Sequence, residues 1–462
     1  MIDKELLSDI IKTSLLQGGD FADVFFEKKE LTAIGCEEGK IETVHSGLEM
    51  GVGIRVIRGE VTSYGFTNDL SRDGLLGAAK IVSQASQGIK REVNLDFNRP
   101  QTTVDFKILE RPEDVTSAKK VRLVRDIELT AREVDRDRVK QVIVAFGDVV
   151  QNVIILNSDG EYIEDERVRT RMVIQVVAAE NDIIQTGFET AGGFSGFELF
   201  KEVSPKDLAQ TAAKRAVLML TAKPAPSGKM PVIMASEAGG TMIHEACGHG
   251  LEADLAQRKL SVYAGKKGEQ VAAKSVTVID DATIPGKYGS YRFDDEGVPA
   301  QKCVLIENGV LTDYMYDRLT ATKDNRSSNG HGRRESYQHR PIPRMANTYV
   351  EPGKEDPQEI IKACKKGLLV RKMGGGQVNT ATGDFVFDVA EGYLIEGGEV
   401  GPLVRGATLT GNGPEVLREV EMVGNDLGFT IGTCGKDGQG VPVGDAQPTL
   451  YIKEMLIGGT SG

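Results

Sequence analysis

The chain has 462 residues, a formal net charge of −12 at pH 7, 40% hydrophobic and 27% charged residues, and 54 glycines. This length is too great for one hydrophobic core, so we expect two or three folded domains and not a disordered protein. Without a long Lys/Arg cluster, the acidic charge disfavours direct nucleic-acid binding, because phosphate contacts need concentrated positive charge.

Cysteine usage and the apolar segments predict a cytoplasmic protein. The five cysteines are scattered and never form a CxxC pair, which favours a reducing compartment over a disulfide framework. They are Cys36, Cys247, Cys303, Cys364 and Cys434. Residues 1–17 carry Asp3, Glu5 and Asp9, unlike the basic start and unbroken apolar run of a signal peptide. Since no apolar run approaches the roughly 18 residues that span a bilayer, we expect no membrane insertion.

The N-terminal elements are predicted from apolar spacing and from glycines. Residues 1–17 have the apolar spacing of an amphipathic helix, and a second helix is predicted over 70–86. Between them, alternating apolar runs predict four short strands of an antiparallel meander, at 23–28, 31–36, 41–44 and 51–57. Turns are expected at the glycine pairs Glu38-Gly39, Ser46-Gly47 and Arg58-Gly59.

The same order of elements is predicted a second time, which suggests an internal duplication. A helix is expected over 113–134, strands over 142–187, and another helix over 205–220. The segment 51–57 resembles 172–177, and a Gly-Phe pair follows each of them. Two unrelated meanders with common hairpin chemistry are the alternative.

These patterns predict an α+β protein with a domain boundary at a Pro/Gly-rich stretch. Residues 1–222 are predicted as an N-terminal domain of antiparallel sheets and helices, with possible halves 1–100 and 101–222. Residues 223–230 are predicted as a linker. Residues 231–462 are predicted as a β-rich C-terminal domain that carries the helix with the metal ligands described below.

In the C-terminal domain, a strand over 230–235 is expected to lead into a helix that begins near residue 236 or 237. Hairpin turns are expected at 307–309 and 396–398. Residues 322–344 lack apolar periodicity, and loops that long inside a compact domain are usually functional or disordered.

The clearest chemical signal is a histidine pair with an adjacent glutamate. His244 and His249 flank Glu245, and zinc peptidases often place two histidines one helical turn apart with a glutamate as base. Here the spacing is i, i+5, which on a regular α-helix separates the rings by about 140°. A shared ion therefore requires either a π-helical turn or a helix that ends at Gly248.

A catalytic zinc needs a third protein ligand and an open position for water. Cys303 and Cys364 lie in apolar contexts and are predicted to be structural, as is Cys247 on the apolar face of the helix. The residue chemistry leaves three main candidates for the third ligand: Cys434 in a glycine-rich segment, His331 and His339.

Five motifs in order resemble those of the TldD/PmbA family of zinc metallopeptidases over nearly the whole chain. They lie at residues 244–252 (His-Glu-x-x-x-His-Gly-Leu-Glu), 332–337, 374–378, 422–427 and 434–439. The histidine motif resembles the zinc-binding side of the family and not the PmbA (TldE) side, which lacks metal-binding residues. The resemblance implies zinc bound by His244, His249 and Cys434, with Glu245 as the base for the bound water.

The resemblance also implies the substrates and the assembly. It predicts hydrolysis of unfolded or small peptides inside a dimer, formed with a PmbA (TldE)-like subunit or with a second copy of the chain. The family has been described as gyrase modulators; the acidic charge favours an indirect effect on gyrase over DNA contact. The alternative is a non-enzymatic peptide-binding or assembly subunit, which a closed site with four protein ligands would favour.

Further residues are candidates for supporting roles. Glu252 could orient a ligand imidazole or form a surface salt bridge. Arg333, Arg334 and Tyr337 could hold a peptide carboxylate or the oxyanion, or else belong to a solvated loop or a subunit contact. Three consecutive glycines could let a peptide backbone approach as an added strand, or form a plain loop. They are Gly374, Gly375 and Gly376.

Overall fold

The computed structural model describes residues 3–86, 88, 95 and 97–459 and has the α+β architecture predicted from the sequence. The helices of these residues are α1 (Lys4–Ser14), α2 (Arg72–Ala85), α3 (Ser117–Arg132), α4 (Leu199–Glu202), α5 (Pro205–Met219), α6 (Thr241–Ile243), α7 (Ala253–Gln257), α8 (Arg318–Lys323), α9 (Pro357–Ala363) and α10 (Gly413–Arg418). Within this part of the chain, no helix is both long enough and apolar enough to cross a membrane.

The strands belong to three larger sheets and one two-stranded ribbon. They are β1 (Phe21–Glu37), β2 (Lys40–Arg58), β3 (Val61–Thr67), β4 (Val139–Asn157), β5 (Tyr162–Glu180), β6 (Ile183–Gly193), β7 (Lys223–Pro224), β8 (Gly228–Met234), β9 (Val278–Asp281), β10 (Lys302–Glu307), β11 (Val310–Leu311), β12 (Gly332–Arg333), β13 (Ile342–Pro343), β14 (Asn347–Val350), β15 (Lys366–Val378), β16 (Asp384–Glu396), β17 (Glu399–Arg405), β18 (Thr408–Asn412), β19 (Val420–Val423), β20 (Gly428–Lys436), β21 (Gln439–Gln447) and β22 (Leu450–Gly458).

The N-terminal sheet is antiparallel and has the strand order β3-β2-β1-β4-β5-β6. Helices α1 and α2 cover one half of it, and α3 and α5 cover the other, each with its own apolar core. A serine or threonine caps α2, α3 and α5, because its hydroxyl accepts an N–H bond from the first turn. The similar segments 51–57 and 172–177 occupy equivalent places in β2 and β5, and the duplication itself stays a prediction.

One part of the N-terminal prediction is wrong. The four short strands are two long ones, β1 and β2, which form a single hairpin. Its turn is Glu38-Gly39, where both residues have positive φ, of 48° and 74°, as a tight two-residue turn requires. Ser46-Gly47 lies inside β2, with Gly47 opposite Leu31, so this glycine pair is not a turn. The hairpin end extends beyond the core, and without burial on one face its residues lose the alternation that marks a strand.

The C-terminal part has two sheets with a shared core between them. One contains β15-β8-β22-β18-β16-β17-β7, with β19 beside β22, and the other has the order β11-β10-β9-β14-β21-β20. Buried residues of both sheets and of the helical segment 241–257 form one apolar cluster. The segment that carries the histidine pair is therefore held between the two sheets. The turns expected at 307–309 and 396–398 join β10 to β11 and β16 to β17.

The stretch predicted as a linker is part of a sheet. β7 pairs in parallel with β17, and β8 begins at Gly228 and pairs with both β15 and β22. Pro224 tolerates this position because β7 lies at the edge of its sheet, where no ladder bond from its nitrogen is needed.

Buried ion pairs join the N-terminal sheet to the C-terminal part. Arg55 of β2 contacts Asp23 and lies 2.7 Å from Glu296, and all three are at most 1% exposed. Arg167 of β5 donates to Asp295 at 2.5 Å and to the carbonyl of Phe293 at 3.0 Å. Buried charges are costly unless they are paired, so each side of this contact needs the other.

Candidate metal centre

The histidine pair lies on a short helical segment with three different geometries. After α6, residues 244–248 form one π-helical turn, and residues 249–251 form a 3-10 turn. The π turn adds the extra residue that the i, i+5 spacing requires, so the rings of His244 and His249 meet with centroids 4.9 Å apart. The structure therefore contains the predicted π-helical turn and not a helix that ends at Gly248.

Cys434 of β20 completes the group. Its Sγ lies 3.4 Å from Nε2 of His249, and the ligand atoms of Cys434, His244 and His249 all lie within 4.8 Å of one another. In the part of the chain that the structure describes, this is the one cluster of three or more His, Cys, Asp or Glu side chains with metal-ligand spacing. Two imidazoles and a thiolate are ligands that zinc takes in tetrahedral sites, with a fourth position left for water or substrate. The donor set therefore fits a catalytic zinc ion.

The other histidines and cysteines considered from the sequence lie elsewhere. His331 is 1% exposed and bonds to Asp280 at 3.1 Å, while His339 bonds to Ser336 at 3.0 Å. The remaining C-terminal cysteines are buried in apolar clusters, as predicted. They are Cys247, Cys303 and Cys364.

Two carboxylates orient the imidazoles. Asp445 of β21 bonds to Nδ1 of His244 at 2.6 Å, and Glu252 bonds to Nδ1 of His249 at 3.2 Å. Each bond leaves Nε2 available to a metal, and carboxylates in this position also raise the basicity of a ligating imidazole. Glu252 has the orienting position that the sequence suggested. Asp445 was missed, because Gly-Asp-Ala within a strand carries no motif that marks it.

Glu252 is itself held by cations. It is fully buried and lies 3.1 Å from Nζ of Lys436 and 3.8 Å from Arg344. Burial alone would raise the pKa of Glu252, but Lys436 and His249 lower it to about 2. Glu252 is therefore ionised over the whole physiological range and keeps a fixed negative charge beside His249.

The metal-free ligands form a thiolate–imidazolium group. Burial would raise the pKa of the Cys434 thiol, but the adjacent His244 and His249 lower it to about 5. Burial would lower the pKa of His249, but Glu252 and Cys434 raise it to about 9. At neutral pH the thiolate is already formed, so protons released on zinc binding come from the imidazoles and not from the thiol.

Glu245 lies beside these ligands and lines the open cleft. Among the described residues, no side chain or backbone group hydrogen-bonds to its carboxylate. Burial raises the pKa of Glu245, and the two histidines partly oppose this shift. A carboxylate without a fixed partner and with a raised pKa suits proton transfer to and from a substrate or water.

The cleft in front of the ligands has a volume of about 670 Å³. One wall is the end of β15, including Gly374, Gly375 and Gly376, and the other is β20 from Thr430 to Lys436. Among the described strands, β8 pairs with β15 only at residues 368–370, and β20 pairs only with β21. Both walls thus present strand edges with unpaired backbone groups to the cleft.

The three residues suggested for carboxylate or oxyanion binding are not in this cleft. Arg333, Arg334 and Tyr337 are 4%, 4% and 8% exposed. Arg334 and Tyr337 belong to the contact with the N-terminal sheet, whereas Arg333 is buried within the C-terminal part. The backbone N–H of Arg334 donates to Asp295 at 2.7 Å, and that of Tyr337 donates to Glu27 at 2.8 Å. Both guanidinium groups have buried partners within the protein: Arg334 lies 3.5 Å from Asp23, and Arg333 donates to the carbonyls of Met345 and Pro442.

Comparison with known proteins finds matches along nearly the whole chain. Family models of the PmbA/TldA metallopeptidases match three segments: domain 1 at residues 22–86, the central domain at 110–220 and the C-terminal domain at 227–459. The chain is 38% identical to a metalloprotease TldD homolog of Haemophilus influenzae, over 96% of this chain and 93% of that protein. It is 39% identical to a metalloprotease of Methanocaldococcus jannaschii, over 93% and 95% of the two chains.

A solved structure shares the fold at lower sequence identity. TldE from Thermococcus kodakarensis superposes with a TM-score of 0.76 and 19% identity, covering 98% of this chain and 99% of its own. The likeness therefore extends over both sheets of the C-terminal part and over the N-terminal sheet.

Proposed function

Because the chain belongs to the PmbA/TldD metallopeptidase family, we propose that it is a zinc-dependent peptidase of the cytoplasm that hydrolyses unfolded or small peptides. The observation that carries this proposal is the group of His244, His249 and Cys434 beside the free carboxylate of Glu245 in an open cleft. Five free thiols, one of them a ligand, suit a reducing compartment.

Each residue of the site has a defined part in this reaction. When bound, zinc supplies Lewis acidity, which polarises a carbonyl and acidifies water. Glu245 accepts the proton of the attacking water and passes it to the leaving amine. Asp445 and Glu252 keep the imidazoles oriented, and the Cys434 thiolate adds negative charge that moderates the acidity of the metal.

We propose that the substrate binds as an added strand along the edge of β15. A Cβ on Gly375 would have no heavy atom within 4 Å, so this residue leaves space on the cleft side. Residue 376 must be glycine for a different reason, because a Cβ there would clash with the ring of Phe387. Main-chain pairing binds peptides with little dependence on sequence, but it needs an extended backbone. Folded proteins cannot supply one, which supports unfolded or small peptides as the substrate class.

The proposal is tested by metal analysis and peptide hydrolysis on the same purified protein. We expect about one zinc per chain, cleavage of unstructured quenched-fluorescence peptides, loss of cleavage with a chelator and recovery with added zinc. A tightly folded protein of similar amino-acid composition should not be cleaved. Cleavage that continues after the zinc has been removed would contradict the proposal, whereas full zinc content without cleavage of any peptide would favour a non-enzymatic peptide-binding or assembly subunit.

We further propose that the chain works as a dimer, with a PmbA (TldE)-like subunit or with itself, and the fold shared with TldE supports this. β3 covers β2 only from Val52 to Arg58, so residues 40–51 form an open strand edge. On one face of it Val44, Leu48 and Met50 are 53%, 56% and 37% exposed. An open strand edge beside exposed apolar side chains is a surface that a partner can cover.

Light scattering should therefore show a dimer, either for the chain alone or after addition of the paralogous subunit. Val44→Lys/Leu48→Lys should shift the protein towards monomer, because two charges would be buried in the contact. Val61→Lys, at a residue that is 60% exposed on β3, is the matched control and should leave the dimer intact. A wild-type monomer at micromolar concentration that still cleaves peptides would remove this proposal.

A further inference from the structure

A second cavity, of about 830 Å³, adjoins the metal cleft. Three residues line both spaces: Thr190, Lys372 and Thr430. The two strand edges of the cleft lead into it, since Arg371 of β15 and Phe429 of β20 are among its walls. Thr430 is four residues from Cys434 along β20, about 13 Å at the usual rise of a strand. A strand-like peptide in the cleft would therefore extend into this cavity about four residues from the metal.

The cavity is basic although the protein as a whole is acidic. Its described lining contains five basic and three acidic side chains, whereas the chain has a net charge of −12. The basic residues are Arg138, Lys214, Arg215, Arg371 and Lys372, and the acidic ones are Glu189, Glu237 and Glu391. Local positive charge in a cleft concentrates anionic ligands.

Most of these charges are already paired within the protein. Arg215 bonds to Glu189 and Glu391, each at 2.6 Å, and Lys372 bonds to Glu189 at 2.9 Å. Arg138 pairs with Asp135 at 2.7 Å. These pairs neutralise two of the three lining carboxylates.

Two lining cations remain without a carboxylate in the described part of the chain. Lys214 is exposed on α5, and Arg371 of β15 stacks over the ring of Tyr393 at 5.3 Å, which fixes its guanidinium without neutralising it. They line the same cavity from two different elements, α5 and β15, and of its described carboxylates only Glu237 is not paired with a lining cation.

We propose that this cavity is a carboxylate-binding subsite, in which Lys214 and Arg371 select peptides with an acidic group about four residues from the scissile bond. The inference rests on the proposed peptidase function. The carboxylate can come from an Asp or Glu side chain or from the C-terminus of a short peptide, and guanidinium and ammonium groups bind both.

The test measures binding separately from hydrolysis. Fluorescent peptides with Glu near either end, their Gln counterparts, and versions with a free or an amidated C-terminus are titrated against the zinc-loaded Glu245→Gln protein. We expect the acidic peptides to bind about three- to tenfold more tightly, the effect of one or two partly exposed ion pairs. If only the peptides with a free C-terminus bind more tightly, the terminal carboxylate is the ligand. If only the Glu peptides bind more tightly, the ligand is an acidic side chain.

Variants decide whether this preference comes from the cavity. Lys214→Gln/Arg371→Gln should abolish it, and Glu237→Gln, which removes the opposing charge, should increase it. Lys206→Gln/Arg122→Gln makes the same charge change at exposed residues outside the cavity, one of them two turns from Lys214 on α5, and should preserve the preference. Unchanged zinc content and circular dichroism show that the variants are folded.

Equal binding of acidic and neutral peptides, or a preference that survives Lys214→Gln/Arg371→Gln, would overturn the subsite. Turnover of the neutral peptides by the wild-type protein tests the peptidase function by itself. If that turnover is absent, the peptidase proposal fails, and the binding comparison still decides whether the cavity takes carboxylates.

Discussion

Glu245→Gln should retain its zinc and lose about 10²- to 10⁴-fold in kcat, the usual contribution of a general base. The substitution keeps the size of the side chain and leaves His244, His249 and Cys434 in place, so metal binding has no reason to change. An amide cannot accept the proton of water. Glu245→Gln should therefore be the one variant that keeps its zinc per chain but loses kcat on an unstructured peptide.

Glu307→Gln is a suitable control for that experiment, since it removes the same charge from an exposed residue at the end of β10, far along the chain from the metal ligands. It should keep both zinc and turnover. If Glu245→Gln turned over peptides at a near-normal rate, Glu245 would not be the base. If it lost zinc as well, the residue would be supporting the ligands and not the proton transfer.

Cys434→Ala should lose zinc and peptide cleavage together. Removal of a partner that only orients a ligand typically costs about 10- to 100-fold in metal affinity, so loss of a ligand itself should cost more. Asp445→Asn provides that smaller effect for comparison. In the intact site the thiolate should lie about 2.3 Å from zinc and the imidazoles about 2.0–2.1 Å, which X-ray absorption spectroscopy measures.

The pH dependence of zinc binding follows from the same residues. Since the pKa of metal-free Cys434 is about 5 and that of His249 is about 9, zinc displaces imidazole protons at neutral pH. The affinity for zinc should therefore rise with pH up to about 9. As the pH is lowered to about 5, the affinity should fall more steeply, because the thiolate is then protonated as well.

The other cysteines and histidines test the specificity of the ligand assignment. Three cysteine variants should keep a full equivalent of zinc, because their thiols lie in apolar clusters: Cys247→Ala, Cys303→Ala and Cys364→Ala. His331→Ala and His339→Ala should also keep it. If Cys434→Ala retained its zinc while His331→Ala or His339→Ala lost it, the third ligand would have to be moved to residues 322–344.

Local pattern predicts the parts of this site that are local in the chain. The histidine pair and Glu245 lie within six residues of one another. Their i, i+5 spacing does not fit a regular α-helix, and for that reason it indicated the π turn that the structure contains. Cys434 could not be selected from residue chemistry over His331 and His339, because only the pairing of β20 with β21 brings it to the histidines. The family motifs supplied that choice.

Residues whose partners are distant in the sequence were predicted less well. Arg333 and Arg334 look like solvated loop residues, because arginines are rarely buried unless they are paired. The groups that permit their burial have no sequence relation to them: the Asp23 carboxylate for Arg334, and the carbonyls of Met345 and Pro442 for Arg333. The same holds for Asp445, whose role exists only through its contact with His244. Buried polar networks are fixed by tertiary contacts, and periodicity does not report them.

The buried ion pairs of Arg55 with Glu296 and of Arg167 with Asp295 have a consequence for the order in which the newly made chain can fold. The N-terminal sheet is complete at residue 193 and already contains one carboxylate partner for each arginine, Asp23 for Arg55 and Asp165 for Arg167. The second partners, Glu296 and Asp295, are synthesised later. From Arg55 to Glu296 the ribosome adds about 240 residues, which takes about 10 to 50 seconds at usual elongation rates. During this interval Arg55 and Arg167 each lack one of their two carboxylate partners. The nascent N-terminal sheet is thus exposed on the face that later receives residues 293–337, until those residues have been synthesised.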